Sequence, residues 1–183
     1  MKVENSLSDR HGGLLVAFAK RGDCFATHIS FGDQERVFPL LTSAPGAEML
    51  PAFQELHRQA GDAEGPLFFL TGLSAGRYWS ACVSRHAEGG FLFDLACRCP
   101  GDPAGLGVAF VLAEHVSAAP ENEGLALRHA HAGKVLLLPQ PVDGAGACRA
   151  TAAGRSVTLT SASTQVSTPA ARWAFVLARQ NSA

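Results

Sequence analysis

Short apolar runs, each of strand length and each cut off by Gly, Asp, Asn or Pro, recur along nearly the whole chain. "GLLVAFA" (13–19) passes through "KRGD" into "CFATHISF" (24–31), and "GD" then leads to "ERVFPLL" (35–41). "PLFFLTGL" (66–73), "RYWSACVS" (77–84) and "GFLFDLACRC" (90–99) repeat the scheme, with "RHAEGG" as a connecting loop. "GLGVAFVLAEHVS" (105–117), "LALRHAH" (125–131), "KVLLLP" (134–139), "ACRATA" (147–152), "RSVTLTS" (155–161) and "ARWAFVLAR" (171–179) continue it. The loops have hairpin length and carry residues that accept positive φ. The helices of a parallel α/β sheet, alternating with the strands, are missing. The pattern predicts an antiparallel β-sandwich, jelly-roll-like or another two-sheet arrangement, of about 10–13 short strands.

One stretch breaks the rule. "AEMLPAFQELHRQAG" (47–61) sets Leu50, Phe53, Leu56 and His57 at helical spacing, with Pro51 suited to a first turn and Gly61 to a stop. It predicts at most one short helix near 48–60, against the alternative of a strand with Leu56 facing inward. "AAPENEG" (118–124) marks a weak internal division within a single domain spanning 1–183. "AFVLAE" (109–114) echoes "AFVLAR" (174–179), although one matched hexapeptide does not establish a repeat.

With 183 residues and 47% apolar composition, the chain is large enough to bury a core without metals or disulfides. The net charge of −1, with Lys and Arg scattered, gives no positive stripe for nucleic acid. The longest apolar runs are strand-sized and the first residues lack a secretory signal, so a cytoplasmic protein without membrane spans is expected. Five cysteines, with no C-x-x-C pair, predict reduced thiols.

"FLFDLACRC" (91–99) is the most chemical-looking segment. Side chains two apart on a strand share a face, so Phe91, Phe93, Leu95, Cys97 and Cys99 project together and Leu92, Asp94, Ala96 and Arg98 project oppositely. The cysteines then read as small hydrophobes in the core, because they supply half of a tetrahedral zinc site and no second pair exists. Asp94 and Arg98 share a face but stand about 13 Å apart, so the carboxylate needs solvent or a partner on another strand.

His129 and His131 share one strand face, a spacing that serves metal binding in cupin-like β-barrels. The following "AGKVLLLPQPVDGAG" lacks the carboxylate and further histidine of that pattern. No metal or cofactor is therefore expected, and the two histidines read as a continuation of the Leu125 and Leu127 face. The pairs Cys24/His28 and Cys82/His86 are four positions apart and cannot form a thiolate–imidazole couple along one strand. No G-x-S-x-G run and no phosphate-cradling glycine loop occurs. "RGD" (21–23) reads as a turn.

Adjacent Tyr78 and Trp79 face opposite sides of a strand, one toward the core and one toward solvent. Sugar-binding sandwiches use such exposed aromatic platforms, which makes Tyr78 and Trp79 the candidate ligand-binding residues. The leading functional expectation is a soluble, non-enzymatic β-sandwich that binds a ligand or a protein partner, with no catalytic residues. The alternatives are a metal-dependent or hydrolytic enzyme using His129 and His131, and a structural protomer whose sheet edges pair in a homodimer.

Overall fold

The computed structural model describes residues 5–11, 13–32, 36–44, 50–61, 65–101, 105–130, 133–141, 143, 148–161 and 170–180. The chain begins with a meander, β1 (Ser6–Ser8), β2 (Leu14–Arg21), β3 (Cys24–Gly32) and β4 (Val37–Ser43). It then crosses to build a second meander, β5 (Glu55–Gln59), β6 (Leu67–Ser74), β7 (Arg77–Arg85) and β8 (Phe91–Arg98). β9 (Gly107–Leu112) returns to the first sheet, whereas β10 (Val116–Glu121), β11 (Gly124–His129) and β12 (Gly133–Gln140) extend the second. The hairpin β13 (Cys148–Ala153) and β14 (Ser156–Ser161) completes the first sheet, and β15 (Ala170–Arg179) is inserted in the second.

The result is two antiparallel sheets, β1-β2-β3-β4-β9-β14-β13 and β10-β11-β12-β15-β8-β7-β6-β5. Their inner faces make one core, consistent with a β-sandwich. Period-two alternation drives the arrangement. β8 buries Phe91, Phe93, Leu95 and Cys97, and β15 buries Ala171, Trp173, Phe175 and Leu177 on the same inner face. Leu14, Val16 and Phe18 of β2 and Val108, Phe110 and Leu112 of β9 line the opposing wall. Aromatic rings pack within the larger sheet, as in the Phe93–Phe175 and Trp79–Trp173 pairs, and between the two layers, as in Phe18–Phe68. Phe93 stacks on Phe175 at 4.8 Å, Phe18 meets Phe68 at 5.2 Å, and Trp79 meets Trp173 edge-on at 6.3 Å. Each ring fully removed from water contributes roughly 1.5–3 kcal/mol.

No helix forms among the described residues of 48–60; residues 50–54 run irregularly into β5. The hydrogen-bond partners explain the difference. The Phe25 N–H donates to the Phe53 carbonyl at 2.7 Å, and the Gln54 N–H donates to the Thr71 carbonyl at 2.9 Å. The Gln54 side chain accepts from the Leu73 N–H and donates to the Leu73 carbonyl. The segment thus satisfies its polar groups against β3 and β6, and Phe53 drops into the core at 8% exposure. Leu56, opposite Leu70, faces inward and packs against the core, as the strand alternative requires.

The run 105–117 is divided by a turn in which His115 takes φ 65°, giving β9 and the start of β10. Residues 118–124 lie in the β10–β11 hairpin, which closes at the Glu121–Gly124 pair. "KRGD" is exposed, with Gly22 at φ 62°. "RHAEGG" is exposed only at Ala87 and Glu88. Its Gly90 is buried because it lies on the backbone of β15, where an added Cβ would fall 1.9 Å from the Leu177 carbonyl oxygen. Among the described residues no helix is long and apolar enough to cross a membrane.

Candidate functional site

The thiol-bearing segment is part of the core. Cys97 and Cys99 are 0% and 2% exposed, and all five cysteines are free thiols. Burial, with a smaller contribution from neighbouring Cys99, pushes the Cys97 thiol up to about 12, and burial pushes Cys148 up to about 11. Both stay protonated at neutral pH, which leaves them without the thiolate that nucleophilic chemistry requires. Asp94 lies on the outer face and finds its partner on β15, where Arg172 donates to both carboxylate oxygens at 2.9 and 2.5 Å. That pair raises the Arg172 pKa, chiefly through the hydrogen bond to Asp94.

His129 is turned inward with Leu125 and Leu127, 8% exposed, its ring 5.1 Å from that of Phe38. His131 lies outside the described residues. His28, on the outer face of β3, is within 3.3 Å of the Thr42 hydroxyl, and burial followed by the charge of Arg21 lowers its pKa. His57 stands on β5, His86 in the β7–β8 loop and His115 in the β9–β10 turn. Among the described residues no three His, Cys, Asp or Glu side chains gather where they would hold a metal ion.

Trp79 and Tyr78 separate as neighbours on a strand must. Trp79 points inward at 2% exposure, and its indole N–H donates to the Ser74 hydroxyl at 3.1 Å. Tyr78 points outward at 62% exposure. It is directly opposite Leu73 of β6, itself 49% exposed, and opposite Arg98 of β8. One residue row away, Thr71, Ser80 and Ala96 stand in register on the same outer face, and Glu55 of β5 is opposite Thr71. The Thr71 hydroxyl donates to the Glu55 carboxylate at 2.9 Å.

The small side chains of Ser80 and Ala96 leave a floor between taller neighbours. The outcome is an open groove of about 510 Å³ along β5–β8, with Glu55 and Thr71 on one side and Tyr78 and Arg98 on the other. A second hollow, of about 370 Å³, lies on the far side of Tyr78 and Arg98 against Gly76, Cys99 and Pro100. Both volumes fall in the range of small-ligand sites. Between the sheets, by contrast, a cavity of only about 40 Å³ is walled by Phe18, Phe53, Phe93, Phe110 and Phe175. It has room for a few waters and apolar walls that would keep it dry.

Arg98, Leu73 and Glu55 were not visible as site residues in the sequence. Alternation sets Tyr78 and Trp79 on opposite faces, but which of them faces out and which residues stand beside it depend on which strands pair and in what register. The fold and the groove together define an antiparallel two-sheet β-sandwich with a side-chain-lined groove on the outer face of its larger sheet. No protein-family model, no curated protein and no solved structure matches the chain.

Proposed function

We propose that this protein is a soluble, cytoplasmic, non-enzymatic binding module that receives its ligand in the groove beside Tyr78. The observation that carries the reading is the exposure of Tyr78, at 62%, with Leu73 and Arg98 at its two flanks. Among the described residues, the large hydrophobic side chains that are this exposed are few: Val37, Leu73, Tyr78 and Val111. Two of the four stand side by side in this groove. An aromatic ring held on a rigid sheet face supplies contact area with little side-chain entropy to lose. A non-enzymatic role is supported by the state of the reactive groups. The Cys97 thiol is held protonated by burial, His129 is packed on Phe38, and the groove's carboxylate, Glu55, is engaged by Thr71.

The test is a fragment screen read by amide chemical shifts. Fragment-induced shifts should concentrate on residues 71–73, 78–80 and 96–98 and disappear in Tyr78→Ala. Fragments that cluster elsewhere, or that are indifferent to Tyr78, would remove the groove from consideration.

A further inference from the structure

Resting on that reading, we infer that the groove's ligand is a carboxylate-bearing saccharide, with a sugar ring laid on Tyr78 and its carboxylate on Arg98. The polar groups of the groove differ in what already occupies them. The Arg98 guanidinium makes no hydrogen bond or ion pair among the described residues. Other arginines of this sheet are engaged, Arg172 by Asp94 and Arg128 by Glu121. On the opposite side of the groove the only carboxylate among the described residues, Glu55, accepts from Thr71 and lies 3.7 Å from His57. The unmet charge of the groove is therefore positive, located at Arg98, and its planar guanidinium suits a carboxylate held by two parallel N–H donors.

The remaining chemistry selects the body of the ligand. β6, β7 and β8 are each paired on both sides, so their backbone groups belong to the ladders. A ligand lying on them meets side chains alone. Over β6–β8 that disfavours an extended peptide, which binds sheets by adding a strand at an edge; the edge at β5 lies two strands from Tyr78 and three from Arg98. What the groove offers instead is one aromatic plate, the Ser80 hydroxyl, the lone pairs left on the Thr71–Glu55 pair, and a guanidinium. This set matches a ring with one apolar face and a rim of hydroxyls. Three strand spacings separate Glu55 on β5 from Arg98 on β8, roughly 14 Å at 4.7–4.9 Å each. That width accommodates more than one sugar unit, so the acid group and the hydroxyl-rich portion need not belong to the same ring.

The experiment compares a uronic-acid oligosaccharide with its carboxyl-reduced neutral counterpart by calorimetry and amide shifts. The acid form is expected to bind at least tenfold more tightly at low salt, with the preference shrinking as salt rises. Tyr78→Ala should weaken both ligands tenfold or more. Arg98→Gln should erase the preference for the acid, weakening the acid form tenfold or more and the neutral sugar by a smaller factor, and Arg98→Lys should restore part of the preference. Unchanged thermal midpoints would certify that these exposed-site variants fold. If fragments map to the groove but the acid form binds no better than the neutral one, or an acidic peptide binds more tightly than either, the saccharide assignment fails and the binding face stands. If neither fragments nor saccharides shift the groove residues, both readings fail.

Discussion

Phe110 and Phe175 meet edge-to-face across the interior, their ring centroids 6.3 Å apart. They hold the same place in the two echoing stretches, AFVLAE at 109–114 and AFVLAR at 174–179. Their strands also occupy comparable positions. β9 joins β4 to β14, and β15 joins β8 to β12, so each attaches an earlier meander to strands contributed later in the chain. The echo thus marks the seam of each sheet, and the two seams touch through these rings.

Removing either ring should be costly. Phe175→Ala empties space against both Phe93 and Phe110, and a loss of about 3–5 kcal/mol is expected in urea unfolding. Phe110→Ala should cost a similar amount. Because the rings touch, the double variant should depart from additivity by about 0.5–1.5 kcal/mol. Additivity within a few tenths would mean that the contact contributes nothing beyond burial.

Alternation determines which face a side chain takes and leaves its neighbours open. It places Phe91, Phe93, Leu95, Cys97 and Cys99 inward and Asp94 outward without any knowledge of neighbours, because the face of a strand is a local property. The partner of Asp94 is not local. Arg172 lies 78 positions away and meets it only because β15 is inserted beside β8. Arg98 next to Tyr78 is hidden for the same reason. The stretch around Phe53 misled differently. Leu50, Phe53 and Leu56 fit a helical stripe, but the hydrogen bonds from Phe25 and to Thr71 that straighten the chain are tertiary.

Cys97 gives a pH dependence. Its thiol is pushed up from the ordinary 9.0 to about 12, chiefly by burial. A raised folded pKa means that the unfolded chain ionises first, so the stabilisation is complete below about pH 9 and is lost as pH climbs from about 9 toward about 12. Cys148, raised to about 11, adds to the same fall. Thermal midpoints should be insensitive to these thiols near neutrality and decline above pH 9, less steeply in Cys97→Ala. An equally steep decline in that variant would show that Cys97 does not contribute. At neutral pH, Cys97→Ser should cost roughly 1–3 kcal/mol by burying a hydroxyl.

The β6–β7 hairpin turns on Ala75 and Gly76, both with positive φ, 49° and 72°. Such a two-residue turn favours Asn-Gly, and alanine is strained there. Ala75→Asn should therefore raise stability by about 0.5–1 kcal/mol, and Gly76→Ala should lower it by about 1–2 kcal/mol. Denaturation midpoints check both. A neutral or destabilising Ala75→Asn would show that this turn does not prefer Asn at its first position.

His129 separates the binding-module reading from a metal enzyme. Its ring is 8% exposed and packed on Phe38, 5.1 Å between centroids, so His129→Ala should cost about 1–2 kcal/mol by lost packing. A metal ligand would behave differently. Metal bound only by the folded state adds stability that a chelator removes, and the loss of an imidazole abolishes that chelator response. The expected outcome is that a chelator leaves the thermal midpoint unchanged in the wild type, in His129→Ala and in the double variant with His131→Ala, while the His129 change lowers the midpoint by itself. A wild-type midpoint that falls with chelator, together with stoichiometric metal that vanishes in the double variant, would overturn the non-enzymatic reading and favour the metal-dependent alternative.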